Sequence, residues 1–160
     1  MTAILGFCGA SGSGKTQLLT GVVRALTARG LRVGVIKHHG HGEPLPRPAE
    51  EGGKDTTRLA EAGAARVALS HAGGLRVEAS DLPRTDPQAL AGCLMDDLDL
   101  VLVEGFKTAD LDKIEVVAPG RAPLLPPGGR LLALTRRGGG PREAELPVLD
   151  VDRQIGRAHV

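Results

Sequence analysis

Eight consecutive residues carry the most explicit chemistry in this chain. Gly9-Ala10-Ser11-Gly12-Ser13-Gly14-Lys15-Thr16 fits G-x-x-x-x-G-K-[ST], the pattern of a phosphate-binding P-loop. Each residue type there has a physical task. Glycines let the backbone turn tightly, with N–H groups pointing inward around an anion. A helix opening at the loop adds its positive N-terminal end. Lys15 reaches the β- and γ-phosphates of a nucleotide, and the Thr16 hydroxyl ligates Mg²⁺. Gly9, Ser11, Gly12, Ser13, Gly14, Lys15 and Thr16 are therefore the candidate nucleotide-binding residues. Such a loop needs an acidic partner for Mg²⁺, usually at the carboxyl end of a neighbouring buried strand. Leu100-Val101-Leu102-Val103-Glu104-Gly105 supplies one: apolar residues run into Glu104, and Gly105 permits close backbone approach. Asp99 begins the same strand, at the end away from the chemistry, and reads as structural.

The elements around these residues agree with that chemistry. Ala3 to Cys8 reads as a short buried strand. Leu18, Leu19, Val22, Val23 and Leu26 recur at helical spacing after the loop, and Gly30 ends that helix. Strand, glycine loop and helix come in the order a P-loop requires. Further strands are expected over Leu31–Lys37, Arg66–Ser70, Leu75–Ala79, Leu98–Glu104, Lys113–Val117, Arg130–Thr135 and Leu146–Asp150. Helices are expected over Asp55–Ala62, closed by Gly63, and over Asp86–Asp97. His71-Ala72-Gly73-Gly74 reads as a hairpin turn. His38–Gly53, Pro119–Gly129 and Arg136–Glu145 read as connections. Alternating strands and helices predict an α/β fold of the P-loop NTPase type, a mainly parallel sheet flanked by helices with one antiparallel hairpin. With 160 residues, a single nucleotide-binding domain over 1–160 is the simplest organisation.

Composition narrows the partners. Twenty basic and 19 acidic residues nearly cancel, which argues against a broad electrostatic footprint for nucleic acid or membrane. Two Phe and no Trp or Tyr leave little to stack on unpaired bases. No apolar run approaches the ~18 residues of a membrane span, and the chain opens directly into a strand rather than a leader-like segment. Cys8 and Cys93 read as free, buried thiols in a reducing compartment. The expected location is cytoplasmic.

Other candidates have two readings each. Asp55, in Gly53-Lys54-Asp55, opens a helix: it is either an N-cap or a group holding Mg²⁺ or the attacking water. His38, His39 and His41 lie together in a loop; a short His cluster binds a transition metal, contacts phosphate or a partner, or is solvated. The 20 basic residues include only five lysines, Lys15, Lys37, Lys54, Lys107 and Lys113. A chain that otherwise prefers Arg keeps Lys where a compact ammonium is needed, and Lys15 is such a place.

Together these segments resemble the molybdopterin-guanine dinucleotide biosynthesis adaptor family, MobB. The resemblance is carried in order by Gly9–Thr16, Ile36-Lys37-His38, Gly53-Lys54-Asp55 with Glu61-Ala62-Gly63-Ala64, Val103-Glu104-Gly105-Phe106-Lys107, and Lys113-Ile114-Glu115. It implies a homodimeric GTP- and Mg²⁺-binding protein with weak intrinsic hydrolysis. It also implies a partner, the guanylyltransferase (MobA) that attaches GMP to molybdopterin, and raises direct contact with molybdopterin. By position, Lys15 and Thr16 would bind phosphate and Mg²⁺, Asp55 and Glu104 would complete the metal and water site, and Lys37 and His38 would face the nucleotide. The chain departs from the pattern at several points. Gly42 follows His41 where an acidic residue is usual, the loop carries Pro44, Pro46 and Pro48, and little chain follows the last strand. Ala10 and Ser11 replace the extra lysine of related dimeric ATPases. Thr135-Arg136-Arg137-Gly138 is not the Asn-Lys-x-Asp segment by which GTPases usually read guanine. Two other functions share the same early unit: an ATP-dependent small-molecule kinase, with Arg136 and Arg137 as a lid, and a metal-delivery GTPase using the histidines.

Overall fold

The computed structural model describes residues 2–39, 53–137 and 146–150. They fall into two compact units, residues 53–83 forming the second and the rest forming the first.

The elements in chain order are β1 (Ala3–Cys8), α1 (Lys15–Thr27), β2 (Val33–Lys37), α2 (Gly53–Glu61), β3 (Arg66–His71), β4 (Gly74–Ala79), α3 (Pro87–Leu94), β5 (Leu100–Glu104), β6 (Lys113–Val116), β7 (Leu131–Arg136) and β8 (Val148–Asp150). In the first unit six strands form one sheet in the order β2-β5-β1-β6-β7-β8. Every pairing in it is parallel. A parallel sheet covered on both faces needs near-continuous apolar strands, and β5 shows why. Leu102 packs with Phe7, Leu18, Leu19 and Val116 on the α1 face. Val101 and Val103 pack with Ile36 and Ala91 on the α3 face. All three β5 side chains are completely buried, each worth roughly 1.5–3 kcal/mol relative to exposure. A third cluster, Val117, Leu131 and Leu134, extends the core toward β7.

Capping explains where the helices begin and end. Asp86 caps α3 by accepting from the N–H groups of Gln88 (2.9 Å) and Ala89 (3.0 Å), with Pro87 at its first turn. The helix ends at Leu94 rather than continuing to Asp97. The Leu98 N–H turns back onto the Met95 carbonyl, and the Asp97 carboxylate is drawn out to Arg32 at 2.6 Å. β5 therefore starts at Leu100, two residues later than its apolar pattern predicts. β2 likewise starts at Val33 rather than Leu31, because the Leu31 N–H closes the end of α1 on the Leu26 carbonyl. Asp99 accepts from the Arg32 N–H at 2.7 Å and ties the starts of β2 and β5 together.

The second unit contains α2 and an antiparallel pair, β3 and β4, in register from Arg66↔Ala79 to His71↔Gly74. The hairpin is thus a separate two-stranded sheet. Arg66 grips Asp81 beside it at 2.8 Å. Among the described residues no helix is long and apolar enough to cross a membrane.

One expectation about the thiols is corrected. Cys8 is buried but Cys93 is exposed: on the short α3 it is Ala91 that turns to the sheet.

Candidate functional site

The loop between β1 and α1 is shaped by glycines that no other residue would replace cheaply. Gly9, Gly12 and Gly14 have φ of 143°, 73° and 90°, a region L-residues rarely occupy. At Gly9 a Cβ would also run into the Val116 carbonyl oxygen. At Gly12 and Gly14 a Cβ would meet nothing within 4 Å, so the loop is uncrowded at both positions. Gly14 caps α1 without a side-chain hydrogen bond, which leaves the first N–H groups of the helix available to an anion.

Lys15 lies over this cradle. Its ammonium donates to the Ala10 carbonyl at 2.6 Å and the Gly9 carbonyl at 3.3 Å. Burial draws its pKa below the ordinary lysine value; Glu104 opposes that shift, while Lys107 and Lys37 add to it. A cation whose charged form burial disfavours gains from a phosphate anion.

The acidic partner stands where strand order puts it. β5 is the neighbour of β1, and Phe7 is level with Glu104. The Glu104 carboxylate, 7% exposed, accepts from the Thr16 hydroxyl at 2.9 and 3.0 Å. On the other side β2 brings Lys37 level with Glu104. The Lys37 ammonium lies 3.2 Å from Glu104 Oε1 and donates to Thr16 Oγ1 at 3.2 Å. A positive charge therefore already sits against the oxygens of Thr16 and Glu104. Hard carboxylate and hydroxyl oxygens of this kind fit Mg²⁺. The backbone locks the same corner: the Gly105 N–H donates to Phe7 O and the His38 N–H to Glu104 O, both at 2.9 Å. Gly105 has φ of 101°, and a Cβ there would press on the His38 Cβ at 3.0 Å.

The predicted residues are placed as follows. Gly9, Ser11, Gly12, Ser13, Gly14, Lys15 and Thr16 form the loop and the start of α1, and Lys37 and Glu104 converge on Thr16. His38 is brought beside the corner by its backbone, while its ring packs against Phe106 with centroids 4.6 Å apart. Asp55 belongs to the second unit. It is the third residue of α2 and not its N-cap, because the helix starts two residues earlier; its carboxylate lies 3.5 Å from Arg58. His41 lies outside the described residues. Among the described residues no group of three His, Cys, Asp or Glu side chains is placed to hold a metal ion.

Sequence reasoning named Ser13 and Arg137 separately but did not group them with Gln17, Val116 and Pro119. Beside the loop, on its β6 and β7 side, is a cleft lined by Ser13 and Gln17, by Val116, Val117 and Pro119, and by Arg137. The Ser13 hydroxyl is buried there without a hydrogen-bond partner. Arg137 Nη2 donates to Gln17 Oε1 at 3.2 Å. The Pro119 side is anchored from below by Glu115, 1% exposed, whose carboxylate accepts from the N–H groups of Leu124 (2.6 Å) and Leu125 (3.0 Å). Buried Lys113 similarly fixes the turn after Gly105, donating to the carbonyls of Ala109 (2.6 Å) and Lys107 (2.9 Å). The scarcity of lysine pointed toward Lys107 and Lys113; nothing in the sequence marked Gln17.

Known proteins resemble this chain in sequence and fold. The family described as molybdopterin guanine dinucleotide synthesis protein B, MobB, matches residues 4–135. The molybdopterin-guanine dinucleotide biosynthesis adapter protein of Escherichia coli (strain K12) is 42% identical over 123 residues, 75% of this chain and 68% of that protein. Its namesake in Haemophilus influenzae is 39% identical over 112 residues, 69% of this chain and 61% of that protein, so this chain spans less than two thirds of the second relative's length. The crystal structure of Bacillus subtilis MobB superposes with a TM-score of 0.73 at 26% identity, covering 96% of this chain and 93% of that one. The chain belongs to the MobB family.

Proposed function

We propose that this chain is a cytoplasmic, homodimeric adapter that binds GTP and Mg²⁺ and assists a guanylyltransferase in attaching GMP to molybdopterin. The observation that carries the reading is the corner formed by Lys15, Thr16 and Glu104, where a phosphate cradle and a carboxylate meet. Two features support nucleotide there: the uncrowded loop at Gly12 and Gly14, and the unpartnered Ser13 hydroxyl. Thr16 and Glu104 would hold Mg²⁺, which supplies charge neutralisation between the phosphates. The Lys37 ammonium and the metal compete for the same two oxygens, so Lys37 is free to turn to phosphate once the metal is bound. Asp55 is kept as a further metal or water ligand on the family resemblance alone. Hydrolysis is slow in this reading, as the family resemblance implies; an arginine finger supplied by a partner would add ~10³–10⁵ in rate.

Two measurements test it. Lys15→Ala removes Mg²⁺-dependent nucleotide binding in a titration; unchanged affinity would overturn the site. An immobilised chain loaded with GTP retains the purified guanylyltransferase; equal retention with and without nucleotide would overturn the role of the nucleotide in the partnership.

A further inference from the structure

We infer that Arg137 reads the base of the bound nucleotide, donating to the O6 and N7 edge of guanine, and so replaces the Asn-Lys-x-Asp segment this chain lacks. The inference rests on the nucleotide reading above and adds the determinant of its base specificity.

The argument starts from strand order. β1 has β5 on one side and β6 on the other. Thr16, Glu104 and Lys37 gather on the β5 side. The cleft of Ser13, Gln17, Val116, Pro119 and Arg137 opens on the β6 side. A nucleoside triphosphate is elongated, with its metal-binding phosphates at one end and its base at the other. Phosphates held at Lys15 and Thr16 leave the nucleoside to the cleft.

The cleft lining offers a purine an apolar face and a fork of donors. Val116 and Pro119 give it an apolar wall, and the Glu115 carboxylate holds the chain beyond that wall in place. Arg137, the residue directly after β7, lines the cleft, and Gln17 accepts from its guanidinium on the α1 side. A guanidinium has five donors and no acceptor. Guanine presents two adjacent acceptors, O6 and N7, which the planar fork matches; adenine presents N7 beside an N6 amine, which is a donor. Arg137 therefore favours guanine by pairing and disfavours adenine by opposing donor to donor. The described residues lining the cleft carry no carboxylate, and the proposed reading uses O6 and N7 alone, which distinguishes it from recognition of the 2-amino group by an aspartate.

The test is a displacement titration of the full chain with Mg²⁺ against GTP, ITP, 7-deaza-GTP and ATP. ITP keeps O6 and N7 but lacks the 2-amino group, so it binds within about threefold of GTP. ATP and 7-deaza-GTP, which loses the N7 acceptor, bind about tenfold or more weaker, the discrimination of a bidentate base contact. Arg137 is exposed, so its replacement leaves the core untouched. Arg137→Ala brings GTP and ATP to within about threefold of each other. Arg137→Gln, whose amide pairs with the N6 and N7 edge of adenine, moves the preference toward ATP. ITP tenfold weaker than GTP, or an intact GTP preference in Arg137→Ala, overturns the inference while binding that still depends on Lys15 leaves the nucleotide site standing. Absence of any Lys15-dependent binding overturns both.

Discussion

On the β5 side of the phosphate loop, Thr16, Lys37 and Glu104 close a ring of hydrogen bonds in which each charge has a partner. On the β6 and β7 side, the Ser13 hydroxyl has none and faces Val116 and Pro119 across a cleft. The contrast has a physical cause. Glu104 is a nearly buried carboxylate, and a buried charge without a counter-charge is costly, so Thr16 and Lys37 pair with it. The cleft wall is apolar and needs no such pairing. One side presents paired charges and the other an apolar wall, and each can be damaged separately.

The largest expected effect is on the shared centre. Lys15→Ala should weaken nucleotide binding roughly 100-fold or more, because it removes charge-assisted hydrogen bonds to phosphate that are worth roughly 1.5–3 kcal/mol each; calorimetry reads it directly. Glu104→Gln should spare binding in EDTA and remove most of the gain from Mg²⁺, roughly tenfold or more for a lost carboxylate ligand and charge. If Glu104→Gln loses nucleotide equally with and without Mg²⁺, the carboxylate belongs to the loop's architecture and not to the metal. Lys37→Met should lower the Mg²⁺ concentration needed for half-maximal effect by a few-fold, on the order of one partly exposed ion pair. A rise would show that Lys37 serves the phosphates more than it competes with the metal.

The smallest effect concerns the strand beneath both sides. Burial first, and the Glu115 charge second, push the Cys8 thiol up to about 11 from an ordinary 9.0. Across that window the unfolded chain has lost a proton that the folded chain keeps, so stability falls as pH rises from about 9 toward 11. Denaturant titrations at pH 8 and pH 10 should show the fall, and Cys8→Ala should flatten it. Native alkylation at pH 8 should label Cys93 alone, since the thiolate is the reactive form.

The two sides also differed in how far they could be read in the sequence. The ion corner is written in contiguous segments, Gly9–Thr16 and Val103-Glu104-Gly105, whose spacing alone implies a strand, a turn and a helix. β1 and the parallel α/β architecture followed from the same apolar runs. The cleft is assembled from residues 13, 17, 116, 119 and 137, brought together only by the order β1-β6-β7. That order is a property of packing, and no local periodicity encodes it. Strand starts failed for a related reason: Leu31 and Leu98 are apolar, yet one closes α1 and the other a turn, as hydrogen bonds to Leu26 and Met95 decide. Asp55 was legible as part of a helix start, but the first residue of α2 depends on Gly53, two places earlier.

The most direct test is a competition of GTP against ATP on the wild-type chain, once with Mg²⁺ and once with EDTA. The account predicts that GTP binds tighter in both, and that Mg²⁺ strengthens both nucleotides by a similar factor, because base and metal are read on opposite sides of the loop. ATP bound as tightly as GTP, or a preference that vanishes when Mg²⁺ is removed, would contradict it.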